Sequence, residues 1–181
     1  MPRLKLRGLL PAEESFLAEL DTSREVIQLI HSGPLSPDEA RSWADVQVQP
    51  TAFKFGKWMI TLQDADCTRI GWIELANHAK PIDETDNDHF AWVTRCYQRI
   101  GGNGYMQEAA SAVIDYAFHF GLDRVLVYAR PAKVRSVELI HRLGFRQIGN
   151  CMDDARDDCD LYQLRREEWP GDEVIGGSTT S

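Results

Sequence analysis

Cysteine is scarce: Cys67, Cys96, Cys151 and Cys159 are the only four. None form a C-x-x-C pair and no zinc-type spacing joins them, which argues against a zinc ribbon or a dithiol redox motif. Reduced, structural thiols are the expectation. Long apolar runs are lacking too. Nothing approaches the roughly 20 apolar residues of a membrane span, and residues 1–7 lack the apolar stretch of a secretory leader. A cytoplasmic location and no membrane partner are therefore expected. Basic residues are the minority charge, with 20 Lys and Arg against 28 Asp and Glu, for a net charge of -8. That balance disfavours general nucleic-acid binding. It attracts cationic partners such as amines, polyamines or basic protein tails, besides keeping the chain soluble. No internal repeat is evident.

What is present reads as an ordinary globular chain of 181 residues, 43% hydrophobic and 27% charged, enough for one domain with a sizeable core. Residues 1–170 are expected to form that domain, and 171–181, rich in Gly, Ser and Thr, a flexible tail. Leu4, Leu6 and Leu9 suggest a first strand over residues 3–8. Pro11-Ala12-Glu13-Glu14 opens a helix, and a second helical pattern runs over 23–31 until Gly33-Pro34 breaks it. Ser36-Pro37-Asp38-Glu39 reads as an N-cap, a proline at the first helical position and acids in the first turn.

Alternating Phe53, Phe55, Trp58, Ile60 and Leu62 predict a strand. A turn at Asp64-Ala65-Asp66 leads to another over 70–76, so the two form an antiparallel hairpin. Residues 89–97 are a further strand. Met106, Ala109, Ala110, Val113, Ile114 and Ala117 then recur at helical spacing, and Gly121 is placed to end that helix. Residues 124–129 make a short buried strand. A helix follows Pro131 and ends at Gly144, with Phe145 supplying an apolar contact beside the left-handed cap. Two last strands cover 145–151 and 159–164 around an acidic turn.

Between the strand at 89–97 and the strongest helix stands Arg99-Ile100-Gly101-Gly102-Asn103-Gly104-Tyr105. Three glycines remove side chains where the chain turns into a helix, so backbone N–H groups and the positive end of the helix are open to an anion. A pyrophosphate suits such a cradle. A dinucleotide fingerprint fits less well, because its third glycine is missing and the turn falls in mid-chain.

Three motifs in this order resemble the GNAT superfamily of N-acetyltransferases, most closely its Rim-type (ribosomal-protein N-acetyltransferase-like) branch. They are the opening Arg3-Leu4-Lys5-Leu6-Arg7; Arg99-x-x-Gly102-x-Gly104 continuing into Tyr105-Met106-Gln107-Glu108-Ala109; and Ser136 followed by Leu143-Gly144-Phe145. The resemblance spans about residues 3–169. It implies an α+β fold: a single mixed, mostly antiparallel sheet of about seven strands, splayed at the cofactor site, with helices on both faces. It implies acetyl-CoA as co-substrate and no metal. A possible homodimer is a family-level expectation.

By the same resemblance, the amides from Ile100 and Gly102 through Met106 would hold the CoA pyrophosphate, with Arg99, Gly101, Asn103 and Tyr105 forming the turn. Pantetheine would lie in the splay, with the thioester near Trp92, Val93 and Thr94. A backbone N–H of Val93 or Thr94 would face the tetrahedral oxyanion. Ser136 is the candidate acid for the leaving thiolate. The family's Tyr, four residues on, is Ile140 here. Its frequent Asn three residues before Ser136 is Lys133, which could instead meet a CoA phosphate, as could Arg130 or Arg135.

An amine acceptor must first lose a proton, since alkyl amines titrate near about 10.4. The branch's Glu aligns with Ala91, so the base is sought elsewhere: Glu74 first, His89 second, with His78 and Asp88 nearby. The acidic segments at 83–88 and 153–160 suit a cationic small molecule or a protein N-terminus as acceptor. They lack the spacing and glycine of a calcium loop. The implied reaction is direct acetyl transfer to a primary amine in a ternary complex. The departures at Ala91, Lys133 and Ile140 keep open a non-catalytic acyl-CoA-binding or sensing module.

Overall fold

A computed structural model describes residues 3–22, 35–48, 56–77, 90–96, 102–152 and 158–171. The chain divides into two compact units, Met1–Leu75 with Val93–Ala109, and Ala76–Trp92 with Ala110–Ser181.

In the first unit, β1 (Leu4–Gly8) runs antiparallel to β2 (Lys57–Leu62), and β2 antiparallel to β3 (Arg69–Asn77). The β2–β3 pair is the expected hairpin. Its turn is held by Asp64, whose carboxylate accepts the Thr68 N–H at 3.0 Å. The strand expected from Phe53 begins at Lys57, and residues 51–55 lie outside the described ones.

Helix α1 (Glu14–Thr22) follows a 3-10 turn, Pro11–Glu13. That tight turn, where a helix start is expected, has a visible cause. Glu13 is only 2% exposed, and its carboxylate accepts the Leu10 N–H at 2.9 Å while pairing with the Arg7 guanidinium. This ion pair holds the Arg7 guanidinium above its ordinary range. Helix α2 (Pro37–Val48) opens as its sequence demands. The Ser36 hydroxyl accepts the Glu39 N–H at 3.3 Å, and the Glu39 carboxylate accepts the Ser36 N–H at 2.9 Å, a reciprocal capping box. Phe16, Leu17 and Leu20 of α1 and Ala44 and Val48 of α2 bury against Met59 and Trp72 of the hairpin. Each of the larger aliphatic and phenylalanine side chains withdrawn from water contributes about 1.5–3 kcal/mol. The helix expected over 23–31 lies outside the described residues.

Helix α3 (Tyr105–His119) starts in the first unit and continues into the second. Ala110, Val113, Ile114 and Ala117 are all buried, as the spacing predicts. Gly121, at φ +96, ends it: its N–H reaches the Phe118 carbonyl and that of Leu122 the Ala117 carbonyl, both at 3.2 Å. This is the Schellman pattern. Strand β4 (Phe90–Cys96) starts in the second unit and continues into the first; within the second unit its Ala91 stands opposite Leu126 of the parallel strand β5 (Arg124–Ala129). Strand β7 (Asp158–Arg165) pairs antiparallel with β5 on one side and with β6 (Arg146–Met152) on the other. Helix α4 (Val134–Arg142) ends like α3. Gly144, at φ +87, and Phe145 donate to the His141 and Ile140 carbonyls, and Phe145 and Ile140 are both buried.

One expectation is corrected here. Cys159 is disulfide-bonded, not a reduced thiol. Cys151 stands opposite it in the β6–β7 ladder. Antiparallel pairing sets opposed Cα atoms about 4.5–5.5 Å apart, within disulfide reach, and linear spacing alone does not disclose that register. Cys67 is a free, exposed thiol.

Candidate active site

The glycine stretch enters α3 as expected. Gly102 and Gly104 hold φ at +89 and +76, a region open to glycine and costly for other residues. A Cβ built on Gly102 would meet no atom within 4 Å, so protein does not fill the space beside it. Among the described residues neither glycine donates its N–H to a backbone carbonyl. Tyr105 and Met106, in the first turn of α3, have amides with no acceptor inside the helix. The backbone therefore fits an anion such as pyrophosphate. Arg99, Ile100 and Gly101 lie outside the described residues.

In the sequence Arg3 and Glu108 are motif residues with no assigned role. Arg3 Nε donates to Glu108 Oε2 at 2.9 Å, Nη2 forms an ion pair with the same oxygen at 2.9 Å, and Nη1 donates to the Asn103 carbonyl at 2.9 Å. The backbone N–H groups of Arg3 and Leu4 donate to Glu108 Oε1 at 2.9 and 3.2 Å. The Arg3 guanidinium also lies over the Tyr105 ring, 4.8 Å from its centre. A separation of 105 residues hides the pair from any local pattern.

Trp92, Val93 and Thr94 fall on β4. Lys133 and Ser136 come together at the start of α4. Lys133 is its N-cap and makes no side-chain cap bond; its carbonyl accepts the Ser136 N–H at 2.9 Å. Ser136 is thus not the capping serine, and its side chain is exposed. Burial, then the charge of Arg130, pushes the Lys133 ammonium below its ordinary range, a setting that favours an arriving anion. Ile140, at the family's Tyr position, is buried.

Glu74 lies on β3 directly across from Lys57. Its carboxylate pairs with Lys57 Nζ at 3.8 Å, and the same ammonium donates to the Gln47 side chain at 2.7 Å and to the Gln47 carbonyl at 3.1 Å. Strand alternation gives no hint of this counter-charge. His78, Asp88 and His89, together with the acidic segment 83–88, lie outside the described residues. Among the described residues no group of His, Cys, Asp and Glu is arranged to hold a metal ion, and no helix is long and apolar enough to cross a membrane.

No curated protein matches the chain. Among solved structures, a GNAT-family acetyltransferase from Bacillus anthracis superposes with a TM-score of 0.74 at 18% identity, covering 92% of this chain and 97% of that one. An acetyltransferase from Agrobacterium tumefaciens gives 0.71 at 22% identity, covering 91% of each. A spermidine N-acetyltransferase chimera from Vibrio cholerae and hSSAT gives 0.70 at 17% identity, covering 92% and 97%. These likenesses show the fold. The acetyltransferase (GNAT) domain model matches residues 3–146, from the Arg3 clasp through the glycine turn to the first residue of β6. The chain therefore belongs to the GNAT family of N-acetyltransferases.

Proposed function

We propose that the chain transfers acetyl from acetyl-CoA to a primary amine by direct attack in a ternary complex, as a Rim-type member with one acetyltransferase domain over residues 1–170. The proposal includes a single sheet of about seven strands, a cytoplasmic setting and a homodimer. The observation that carries it is the turn at Gly102 and Gly104, both at positive φ, whose N–H groups donate to no backbone carbonyl among the described residues.

Acetyl-CoA, when bound, supplies an activated thioester. The chain's residues do the rest. Amides from Ile100 through Met106 hold the pyrophosphate, with Arg99 ordering the turn and Lys133 facing a phosphate. A backbone N–H of Val93 or Thr94, beside Trp92, offers a hydrogen bond where negative charge develops. Ser136 Oγ gives a proton to the leaving thiolate. Glu74 takes the proton of the amine, with His89 the second candidate. Glu74 lies 3.8 Å from Lys57 Nζ, which places a cation beside the carboxylate proposed as base.

The net charge of -8 steers a cationic acceptor, either a small amine or a protein N-terminus. The fold is shared with a spermidine N-acetyltransferase chimera, which keeps polyamines on the panel to be tried. Release of free CoA thiol, measured with spermidine, aminoglycosides, amino-acid amides and N-terminal peptides, tests the reading. Turnover with at least one is expected. Tight CoA binding with no turnover on any amine would favour the second reading, a non-catalytic acyl-CoA-binding module. Buried Ile140, in place of the family's Tyr hydroxyl, is the observation on that side.

A further inference from the structure

We propose that Arg3, the residue just ahead of β1, is a positioning residue for the cofactor turn: it fixes the peptide between Asn103 and Gly104 and neutralises Glu108. The inference rests on the reading that this turn takes the CoA pyrophosphate.

The first part follows from peptide planarity. In a trans peptide the carbonyl and the next N–H point in opposite directions. The Asn103 carbonyl is held at 2.9 Å by Arg3 Nη1, so the Gly104 N–H is directed away from Arg3. Glycines flank Asn103 on both sides, and glycine rotates at little steric cost. A turn built of them has small intrinsic preference for the orientation that presents its amide. Stacking of the guanidinium over Tyr105 adds a second constraint on the same arm.

The second part is electrostatic. Glu108 is the acidic residue in the first turn of α3. An ionised carboxylate at an anion-binding helix start would repel the ligand. In this structure both its oxygens are engaged. Oε2 takes two contacts from the guanidinium, and Oε1 accepts the N–H groups of Arg3 and Leu4. A planar guanidinium suits this task better than a lysine, because its separate nitrogens reach Glu108 Oε2 and the Asn103 carbonyl together, which one compact ammonium does less well.

The test is equilibrium binding of CoA, with steady-state kinetics and thermal melting, on the full chain and on Arg3→Met, Arg3→Lys and Arg3→Met combined with Glu108→Gln. For Arg3→Met the expectation is about a tenfold weaker CoA affinity and a raised acetyl-CoA KM, with kcat at saturation within about twofold. Arg3→Lys should fall between. Adding Glu108→Gln to Arg3→Met should recover part of the loss, because the unneutralised charge is gone. A merely structural Arg3 would lower Tm and the active fraction at unchanged KM. CoA affinity of the folded Arg3→Met or Arg3→Lys chain within twofold of the parent would overturn the inference while leaving the CoA reading in place. If Arg3→Met fails to fold, Arg3→Lys decides alone. A parent chain that binds no CoA would overturn the CoA reading and the inference with it.

Discussion

Helices α2 and α3 both begin in the first unit, and both carry a glutamate near the start, yet they spend it differently. At α2 the Glu39 carboxylate turns back to the Ser36 N–H and hydroxyl, at 2.9 and 2.6 Å, while the Ser36 hydroxyl accepts the Glu39 amide. The cap consumes donors that the helix would otherwise offer. At α3 the Glu108 carboxylate turns away to Arg3 and the N–H groups leading into β1, and glycines stand where a capping side chain would be. The lesson concerns use, not sequence strength. A closed helix start stabilises the chain, and an open one can bind an anion. Helix α4 is a third case, with Lys133 at its N-cap and no side-chain cap bond.

The sharpest way to break this comparison is Gly104→Val. The backbone there sits at φ +76, which a β-branched residue resists, and the new Cβ would lie 3.6 Å from Arg3 Nη2, against the arm that holds the turn. Acetyl-CoA KM should rise about a hundredfold, roughly 2.7 kcal/mol of lost binding. Gly144→Val is the control. Its φ of +87 imposes like strain, and its Cβ would lie 3.7 Å from Leu164, but Gly144 closes a helix end. It should lower Tm and leave KM near the parent value. A near-normal KM for Gly104→Val would sink the pyrophosphate assignment.

Ser136→Ala asks whether the uncapped start of α4 also belongs to the chemistry. Loss of a proton donor to the thiolate should reduce kcat by about tenfold or more, with CoA affinity kept. An unchanged rate with the best acceptor would exclude Ser136 as the acid.

Lys133→Met has a smaller expected effect, about fivefold in CoA affinity, with a shallower salt dependence. The parent chain also carries a pH signature. Burial and Arg130 hold the Lys133 ammonium below its ordinary 10.5, so its charge is lost earlier on the alkaline side than for a free lysine. CoA affinity should weaken as pH rises through that lowered value, and the Lys133→Met chain should lack this limb. Identical alkaline limbs in the two chains would remove Lys133 from the phosphate site.

The elements most legible in the sequence were those whose cause is local. Ser36-Pro37-Asp38-Glu39 announces a capped helix, and Gly121 and Gly144 announce helix ends, because each bond involved spans only a few residues. The open glycine turn was legible for the same reason, and its neighbours tied it to a family. Contacts across the chain were not. Arg3 and Glu108, Lys57 and Glu74, and the opposition of Cys151 and Cys159 depend on strand register and on packing that brings distant residues together. The 3-10 turn at Pro11–Glu13 belongs with them, since Arg7 on β1 pairs with the carboxylate that shapes it.

Ser36→Ala is the mildest change, and it probes the closed member of the pair. Removing an N-cap serine typically costs about 1 kcal/mol, so Tm should fall by about 2–4 °C, with acetyl-CoA KM unchanged because the cap lies outside the residues proposed to hold the cofactor. The effect should depend on acid in a fixed direction. Hydrogen bonds from the Ser36 hydroxyl and N–H hold the Glu39 carboxyl below its ordinary 4.5. A carboxyl depressed on folding stabilises the folded chain above its unfolded pKa, and that contribution is lost as pH falls through the depressed value. The parent chain and Ser36→Ala should therefore differ most in Tm near neutrality and converge in acid. A gap that stays constant down to about pH 3 would mean that Ser36 stabilises α2 without the glutamate. The contrast between a carboxylate spent on its own helix and one lent to Arg3 would then fail at its α2 end.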